Sequence, residues 1–161
     1  MINGAYLLLG SNLGDKRAML CQAIEKLSQQ LEIVSKSSLY ETDAWGIEDQ
    51  PSFYNCVLHV KSRLQPQNLL QLCLEIEKEL GRKRIVKWGE RIIDIDILYY
   101  NDVILDEPEL KIPHPYIQER MFTLIPMAEL APDFVHPVFG LTQKELIAEC
   151  PDTLEVRRVE W

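Results

Sequence analysis

The sequence predicts an α+β fold of the ferredoxin-like class, in which elements in the order β-α-β-β-α-β form an antiparallel sheet with helices packed on one face. Two observations support this prediction. Short apolar runs are typical of buried strands, and longer segments between them repeat apolar residues at the spacing of a helix face. Glycine, proline and aspartate residues separate these segments, where turns are expected.

The first half of the chain predicts a strand, a helix and a second strand. Residues 5–9 are an apolar run that ends at Gly10, and residues 10–15 supply turn and helix-cap side chains. Apolar residues recur at helical spacing over 16–31. The second strand is predicted over 33–40, where serine and lysine interrupt the apolar residues.

A long loop follows the second strand. Residues 41–52 contain glycine, aspartate and proline, and loops of this length in compact domains often bind ligands. A third strand is predicted over 53–61 and a second helix over 66–80. Another loop covers 82–91, and the fourth strand covers 92–100.

The C-terminal part is predicted to be a mostly helical extension. Prolines punctuate it, and short helices are expected around 121–130 and 142–149. No linker-like or repetitive segment divides the chain, so residues 1–161 are expected to form one domain. The part beyond about residue 135 is expected to serve packing only.

Composition indicates a cytoplasmic globular protein, with a monomer as the simplest expectation. Apolar residues make up 47% and charged residues 26% of the chain, close to the average of such proteins. The cysteines match no zinc or redox spacing, and Cys21, Cys56 and Cys73 are expected to be reduced core residues. The chain shows neither a signal-peptide pattern nor an apolar run long enough to span a membrane.

The charge balance narrows the possible ligands. A formal net charge of −8 and a pI near 4.9 disfavour binding to nucleic acid or to an anionic membrane. A polyanionic small substrate would therefore need a local basic cluster or metal ions. The chain has candidates for both.

Asp94 and Asp96 are the sharpest local signal of chemistry. Side chains alternate along a strand, so both carboxylates are expected on one side and the neighbouring isoleucines on the other. The carboxylates then lie about 7 Å apart along the strand, from a rise of about 3.4 Å per residue. That spacing suits two magnesium ions that share the phosphate oxygens of a substrate. An ordinary half-exposed strand can carry the same pair, so the pattern alone does not decide.

A basic loop precedes this strand. Residues 81–91 contain five of the 17 lysines and arginines of the chain. Beside two carboxylates, such a loop can neutralise a triphosphate and the charge that develops in phosphoryl transfer. A solvated charged loop is the alternative, but the clustering in an acidic protein favours a phosphate site.

Two further groups are candidates for ligand binding. Phe53 and Asn55 share one face of the third predicted strand and could stack on and hydrogen-bond a flat heterocycle. His114 and Arg120 could bind a phosphate, and Phe122 could offer a second stacking surface. From the residues alone, an ordinary cross-strand aromatic pair is the preferred interpretation of the first group. The second group is undecided, because a histidine between prolines more often holds a turn.

Read together, these segments resemble the 6-hydroxymethyl-7,8-dihydropterin pyrophosphokinases of folate biosynthesis. The most specific match is residues 87–98, Lys-Trp-Gly-Glu-Arg-Ile-Ile-Asp-Ile-Asp-Ile-Leu. Residues 9–14, residues 49–55, and residues 112–115 with 120–122 also match motifs of that family, in its order. The resemblance extends from about residue 5 to about residue 135.

The resemblance implies a ferredoxin-like fold and a magnesium-dependent reaction. Two magnesium ions would be bound by Asp94 and Asp96, and ATP would donate its β,γ-pyrophosphoryl group to the pterin hydroxymethyl oxygen, leaving AMP. A protein base would not be required, because such transfers depend chiefly on positioning and charge neutralisation.

The resemblance also implies roles for individual residues. Arg82 and Arg91 would act in catalysis beside Asp94 and Asp96. The residues implied against the pterin are Thr42, Trp45, Phe53, Asn55 and Phe122. The residues implied against ATP or its phosphates are Glu77, Arg84, Trp88, Arg91, Ile97, His114 and Arg120.

Two positions depart from the pattern of that family. Ala44 stands where proline is common, and Tyr116 stands where many relatives carry a basic residue. The first difference could loosen the loop over 41–52, and the second puts one phosphate contact in doubt.

Two other functions remain open from the residues alone. One is a non-catalytic ferredoxin-like module that binds RNA or a small effector, since one fold hosts many functions. The other is a two-metal nucleotidyltransferase, which would share the carboxylate pair but release pyrophosphate.

Overall fold

Eight strands and four α-helices make up the part of the chain that the computed structural model describes, residues 2–43, 51–81 and 92–161. The strands are β1 (Asn3–Ser11), β2 (Glu32–Lys36), β3 (Leu39–Thr42), β4 (Phe53–Ser62), β5 (Asp94–Tyr100), β6 (Leu105–Asp106), β7 (Lys111–Ile112) and β8 (Val156–Val159). The helices are α1 (Lys16–Ser28), α2 (Pro66–Glu79), α3 (Met121–Leu130) and α4 (Gln143–Glu149), and Ile117–Glu119 form a 3-10 helix.

An antiparallel sheet lies at the centre of the fold. Its strand order is β5-β1-β4-β3-β8, with β2 also paired to β4, while β6 and β7 form a separate two-stranded sheet. Strand β1 pairs with β4 on one side and with β5 on the other. The central strands β1 and β4 are mostly apolar because neither of their faces is open to solvent.

Helices cover both faces of the sheet, whereas the sequence predicts helices on one face only. Helices α1 and α2 lie over the face formed by residues such as Leu7, Leu58 and Ile97. Helix α3 contacts β3 and β4 and helps to cover the opposite face, where Leu8 and Val57 are buried. The prediction was wrong because both sets of alternating positions in the central strands are apolar. Each face of the sheet therefore requires a covering layer.

The helix boundaries follow the local sequence signals. Asp15 caps α1 by accepting a hydrogen bond from Ala18 N at 3.1 Å, and Pro66 lies at the start of α2. Helix α3 spans the range predicted for it, although Pro126 lies inside it. Among the described helices none is long and apolar enough to cross a membrane.

The second predicted strand is divided into β2 and β3. The division falls at Ser37, whose Oγ accepts a hydrogen bond from Val57 N at 2.9 Å and so takes part in the bonding of β4. Strand β3 then continues to Thr42, which the sequence assigns to a loop. Its antiparallel pairing with the start of β4 explains the longer strand.

The C-terminal part is less helical than the sequence predicts. Besides α3 and α4 it contains β6, β7 and β8, and β8 adds a strand to the main sheet beside β3. Strand β8 is short, and arginines occupy both of its central positions, so its apolar pattern is weak. It forms because the edge of β3 offers unpaired backbone groups.

The cysteines only partly follow expectation. Cys56 and Cys73 are buried, and burial raises the pKa of the Cys56 thiol to about 12, so it remains protonated. Cys21 was expected in the core but is exposed, because it lies on the outer side of α1.

One carboxylate joins α3 to the sheet. Glu129 accepts a hydrogen bond of 2.6 Å from the Tyr40 hydroxyl and also accepts from Ser38 N and Ser38 Oγ. Burial and this carboxylate raise the pKa of Tyr40 to about 12, so the hydroxyl stays a donor. The junction between β2 and β3 is thereby tied to the helix above it.

Replacing Glu129 by alanine should lower the free energy of unfolding by about 1–2 kcal/mol, because the buried Tyr40 hydroxyl and Ser38 N–H lose their acceptor. Urea unfolding of the wild type and of Glu129→Ala measures this difference. Glu149→Ala, which removes an exposed carboxylate from α4, is the matched control. Equal stability of the two variants would contradict the assigned role of Glu129.

Candidate active site

Three residues on neighbouring strands form a row across the α3-side face of the sheet. Gly10 on β1 pairs with Asp94 on β5 and with Asn55 on β4. Directly opposed residues of antiparallel strands point to the same face, so the Asp94 and Asn55 side chains share the face of Gly10. With neighbouring strands about 4.8 Å apart, the Asp94 and Asn55 backbones lie about 10 Å from each other.

Asp94 and Asp96 lie as the sequence predicts. Both are half-buried, whereas the alternating Ile95 and Ile97 are 4% exposed and belong to the core on the α1/α2 side. The two carboxylates therefore share the face of the row, with Asp96 opposite Leu8 on β1.

This donor set fits magnesium bound together with a phosphate. Within the described ranges no cluster of three or more His, Cys, Asp or Glu side chains is arranged to hold a metal ion. A site of two carboxylates leaves coordination positions for phosphate oxygens and water, which is how magnesium is commonly held at phosphate-transfer sites.

A buried glutamate supports the strand between the two aspartates. Glu77 on α2 is 3% exposed, and its Oε2 accepts a hydrogen bond of 2.7 Å from Ile95 N. A hydrogen bond of this length holds the backbone of β5 against α2. The Glu77 side chain thus contacts the backbone of β5 from the side of the sheet that α2 covers.

Gly10 gives the Asn55 side chain the space that it occupies. A Cβ atom at position 10 would lie 2.5 Å from Asn55 Nδ2. That nitrogen donates a hydrogen bond of 3.2 Å to Leu9 O, which orients the amide across Gly10. A larger residue at position 10 would displace the amide.

Two buried polar atoms on this face lack a hydrogen-bond partner within the described chain. They are Asn55 Oδ1 and Thr42 Oγ1, and both residues are at most 4% exposed. Thr42 pairs with Phe53, so these two side chains share the face of Asn55. Unpaired buried polar groups are costly, so these two atoms are candidate contacts for a ligand.

Phe122 and Arg120 lie at the start of α3, on the same side of the sheet. Phe122 is half-buried and packs against the core cluster on the α3 side, which includes Leu8 and Val57. The guanidinium carbon of Arg120 lies 5.6 Å from the centre of the Phe122 ring and 4.8 Å from the centre of the Tyr116 ring. Tyr116, which departs from the basic residue of many relatives, therefore contributes an aromatic surface for the Arg120 guanidinium.

His114 lies beside the end of β5. Its backbone N donates a hydrogen bond of 2.9 Å to Leu98 O, and its Nδ1 accepts one of 3.2 Å from Tyr116 N. Because Nδ1 is an acceptor, the proton of the neutral ring is on Nε2. Burial and the neighbouring Arg120 charge lower the pKa of His114 to about 4, so the ring is neutral near pH 7.

The remaining predicted site residues divide into two groups. The Ile97 side chain lies in the core, so only its backbone is available for a nucleotide. The other predicted site residues fall outside the described residues: Trp45, Arg82, Arg84, Trp88 and Arg91. Ala44, which stands where proline is common in the family, also falls outside them.

Sequence reasoning missed several residues that shape this region. Gly10 was assigned to a turn, although its pairing with two strands makes it part of the sheet face. Tyr40 and Glu129 are distant in sequence, and nothing local indicates their bond. The motif around Gly10 was the one available signal, since a glycine after an apolar run also marks close backbone approach.

Comparison with known proteins identifies the family. The model of the 7,8-dihydro-6-hydroxymethylpterin-pyrophosphokinase (HPPK) family matches residues 6–132. The chain is 46% identical over 144 residues to a 2-amino-4-hydroxy-6-hydroxymethyldihydropteridine pyrophosphokinase of Aquifex aeolicus, covering 89% of this chain and 90% of the relative. It is 44% identical over 158 residues to the protein of the same name from Methylorubrum extorquens, covering 97% and 98%. The chain belongs to the HPPK family.

A solved structure supports the fold. The chain resembles the Plasmodium falciparum HPPK-DHPS structure with a TM-score of 0.74 at 20% identity, covering 92% of this chain and 42% of that chain. At this identity the likeness shows the mixed helical and antiparallel-sheet fold alone. This chain spans less than half the length of that structure.

The pKa of His114 leads to a test by pH titration. The ¹³Cε1 resonance of this imidazole should not shift between about pH 8 and pH 5, because the pKa near 4 keeps the ring neutral. In the unfolded chain His114 has the ordinary pKa of 6.5, so between pH 6.5 and pH 4 the unfolded state binds more protons than the folded state. The stability contributed by neutral His114 therefore falls as the pH drops from 6.5 towards 4. Comparison with His114→Gln assigns the resonance, and a midpoint near pH 6.5 would contradict the assignment.

Proposed function

We propose that this protein transfers the β,γ-pyrophosphoryl group of ATP to the hydroxymethyl oxygen of 6-hydroxymethyl-7,8-dihydropterin in folate biosynthesis, giving AMP and the pterin diphosphate. One observation carries the proposal. Two half-buried carboxylates, Asp94 and Asp96, share a sheet face with Asn55, whose buried carbonyl oxygen lacks a partner in the described chain. Gly10, between them on β1, leaves room for the Asn55 side chain.

The pterin is proposed to lie over Asn55 and Thr42. The unpaired Asn55 Oδ1 can accept a hydrogen bond from a ring N–H or amino group, and the Thr42 hydroxyl can donate or accept. Phe53 and Phe122, each half-buried, would stack on the two sides of the ring. We also assign Trp45 to this site.

Asp94 and Asp96 are proposed to hold two magnesium ions. When bound, these ions would neutralise phosphate charge and polarise the transferred group. The protein contributes the alternation that places both carboxylates on one face and the Glu77 bond that holds Ile95 between them. That bond preserves the spacing of the carboxylates, and Glu77 is also assigned to the nucleotide site.

His114 and Arg120 are proposed to bind the phosphates of ATP. Neutral His114 can donate from Nε2, because Nδ1 already accepts from Tyr116 N. Arg120 remains charged at all working pH values and is oriented by the adjacent Tyr116 and Phe122 rings. The backbone of Ile97 is a further candidate contact.

The basic loop is proposed to complete the nucleotide site. Arg84, Trp88 and Arg91 are assigned to ATP, and Arg82 and Arg91 to catalysis. A cationic side chain beside the phosphates favours a transition state in which negative charge moves towards the leaving AMP.

The chemical step follows from this arrangement. The pterin hydroxymethyl oxygen forms a bond to the β-phosphorus, the bond from that phosphorus to the oxygen bridging to the α-phosphate breaks, and AMP leaves with the electron pair. The hydroxyl proton passes to solvent or phosphate, so the protein supplies no dedicated base. Catalysis rests on positioning and charge neutralisation.

We further propose that residues 1–161 act as one monomeric domain in the cytoplasm. The strand order, with β5 beside β1 and β4 between β1 and β3, supports a ferredoxin-like split βαβ arrangement with a C-terminal extension. The free Cys56 and Cys73 thiols support a reducing compartment.

Product analysis tests this function against the alternatives. With the reduced hydroxymethyl pterin and MgATP, the wild type should form AMP and the pterin diphosphate in equal amounts. Release of ADP would indicate an ordinary kinase, release of pyrophosphate a nucleotidyltransferase, and no turnover a binding module. Each of these three results would contradict the proposal.

The carboxylate variants extend the same test. Asp94→Asn and Asp96→Asn should each lower the rate of AMP formation at least about 100-fold, because losing one metal ligand removes several kcal/mol of charge stabilisation. Asp102→Asn changes an exposed aspartate in the turn after β5 and is the control. Rates within threefold of the control would overturn the metal assignment.

A further inference from the structure

The C-terminal segment contacts both proposed walls of the pterin site. It comprises residues 152–161, which follow the part of the chain matched by the family model, residues 6–132. Asp152 contacts the start of α3, and Arg157 contacts β3 and the residue after it. These contacts carry the inference, which rests on the proposed pterin position.

Arg157 holds the end of β3 from the α1 side of the sheet. It lies directly opposite Glu41 in the pairing of β8 with β3. Its Nη2 is 3.4 Å from Glu41 Oε1 and 3.0 Å from Asp43 Oδ1. Thr42, between these two acidic residues, points to the opposite face, where the pterin is proposed to bind.

Glu41 extends this contact to the start of β4. Its Oε2 accepts a hydrogen bond of 2.6 Å from Ser52 Oγ, and Lys16 donates to Ser52 O at 3.0 Å and to Ser52 Oγ at 3.1 Å. The hydrogen bond from Ser52 and, to a lesser extent, the charge of Arg157 lower the pKa of Glu41. Because Ser52 precedes Phe53, one network holds the backbone on both sides of the Thr42–Phe53 pair.

Asp152 holds the other wall. Its Oδ2 accepts a hydrogen bond of 3.0 Å from Met121 N, the first amide of α3, and its Oδ1 accepts one of 2.9 Å from Leu154 N. A carboxylate at a helix N-terminus satisfies an otherwise unpaired N–H and interacts favourably with the helix dipole. The next residue of that helix is Phe122.

The end of the segment has separate attachments. The Trp161 indole N–H donates to Ser37 O at 3.1 Å, and Arg17 donates to Glu160 O at 2.9 Å. The backbone of β8 also pairs with β3 over four residue pairs. Loss of the Arg157 side chain alone therefore leaves β8 attached.

We propose that residues 152–161 are a positioning strap that holds the Thr42–Phe53 wall and the Phe122 wall of the pterin site at their working separation, with Asp152 and Arg157 as its positioning residues. The contacts of Arg157 with Glu41 and Asp43, and of Asp152 with Met121 N, lie beside the proposed pterin walls, so the expected effect is on pterin binding. Arg157 acts through Glu41 and Asp43, and Asp152 acts through Met121.

Binding measurements with two ligands test the strap. The dissociation constant of 6-hydroxymethyl-7,8-dihydropterin is measured with magnesium and α,β-methylene-ATP present, since that analogue cannot release AMP. Arg157→Ala and Asp152→Ala should each weaken pterin binding roughly two- to tenfold, the range expected when one or two partly exposed polar contacts are lost. The affinity for the ATP analogue and kcat at saturating pterin should stay within about twofold of wild type.

Conservative and control variants separate positioning from a general structural effect. Arg157→Lys keeps a cation and Asp152→Asn keeps an acceptor oxygen, so both should recover at least part of the affinity. Arg63→Ala, beyond the far end of β4, and Asp133→Ala, an exposed aspartate, should bind pterin like the wild type. Thermal unfolding of each variant reports the folded fraction.

Three outcomes would overturn the strap. In the first, Arg157→Ala and Asp152→Ala bind pterin as tightly as their controls. In the second, they lose ATP affinity and pterin affinity together, with a lowered melting temperature. In the third, Arg157→Lys and Asp152→Asn bind pterin no better than the alanine variants. Phe122→Ala distinguishes the source of a failure. If Phe122→Ala weakens pterin binding while the strap variants do not, only the strap proposal is wrong. If Phe122→Ala has no effect, the proposed pterin position is wrong, and the strap proposal, which rests on it, is wrong as well.

Discussion

The site depends on the twofold alternation of side chains in three antiparallel strands. Because Gly10 pairs with Asp94 on one side and Asn55 on the other, the acidic group and the amide share a face at a separation dictated by strand spacing. A shift of one residue in either pairing would turn one of these groups into the core. The apolar residues that alternate with them, such as Ile95 and Cys56, stabilise the observed register by their burial.

The same alternation explains what could be predicted from the sequence. Local patterns predict which residues share a face of β4 and of β5, where α1 and α2 lie, and which family the motifs resemble. The structure confirms the strand faces and the helix positions. Ser37 divides the second predicted strand through a bond to Val57, which lies on another strand. Strand β8 and the Tyr40–Glu129 bond likewise depend on partners far along the chain, so no local pattern indicates them.

The two sides of the proposed site are held by different means. Asp94 and Asp96 lie on a strand whose backbone is bound by a buried glutamate from α2. The proposed pterin walls lie at the ends of elements: Thr42 ends β3, Phe53 begins β4, and Phe122 lies in the first turn of α3. Glu129 and the C-terminal segment make side-chain contacts with these elements. The unpaired Asn55 and Thr42 oxygens lie on the same face of the sheet as Asp94.

Paramagnetic relaxation tests the shared face most directly. Manganese replaces magnesium in the complex with α,β-methylene-ATP, and the broadening of amide resonances reports their distance from the metal. The Asn55 side-chain amide and the Gly10 backbone amide should broaden strongly, while the Arg63 amide, more than about 20 Å along β4 at about 3.4 Å per residue, should not. Equal broadening of Asn55 and Arg63, or no broadening of Asn55, would contradict the placement of the metal-binding aspartates beside the proposed pterin site.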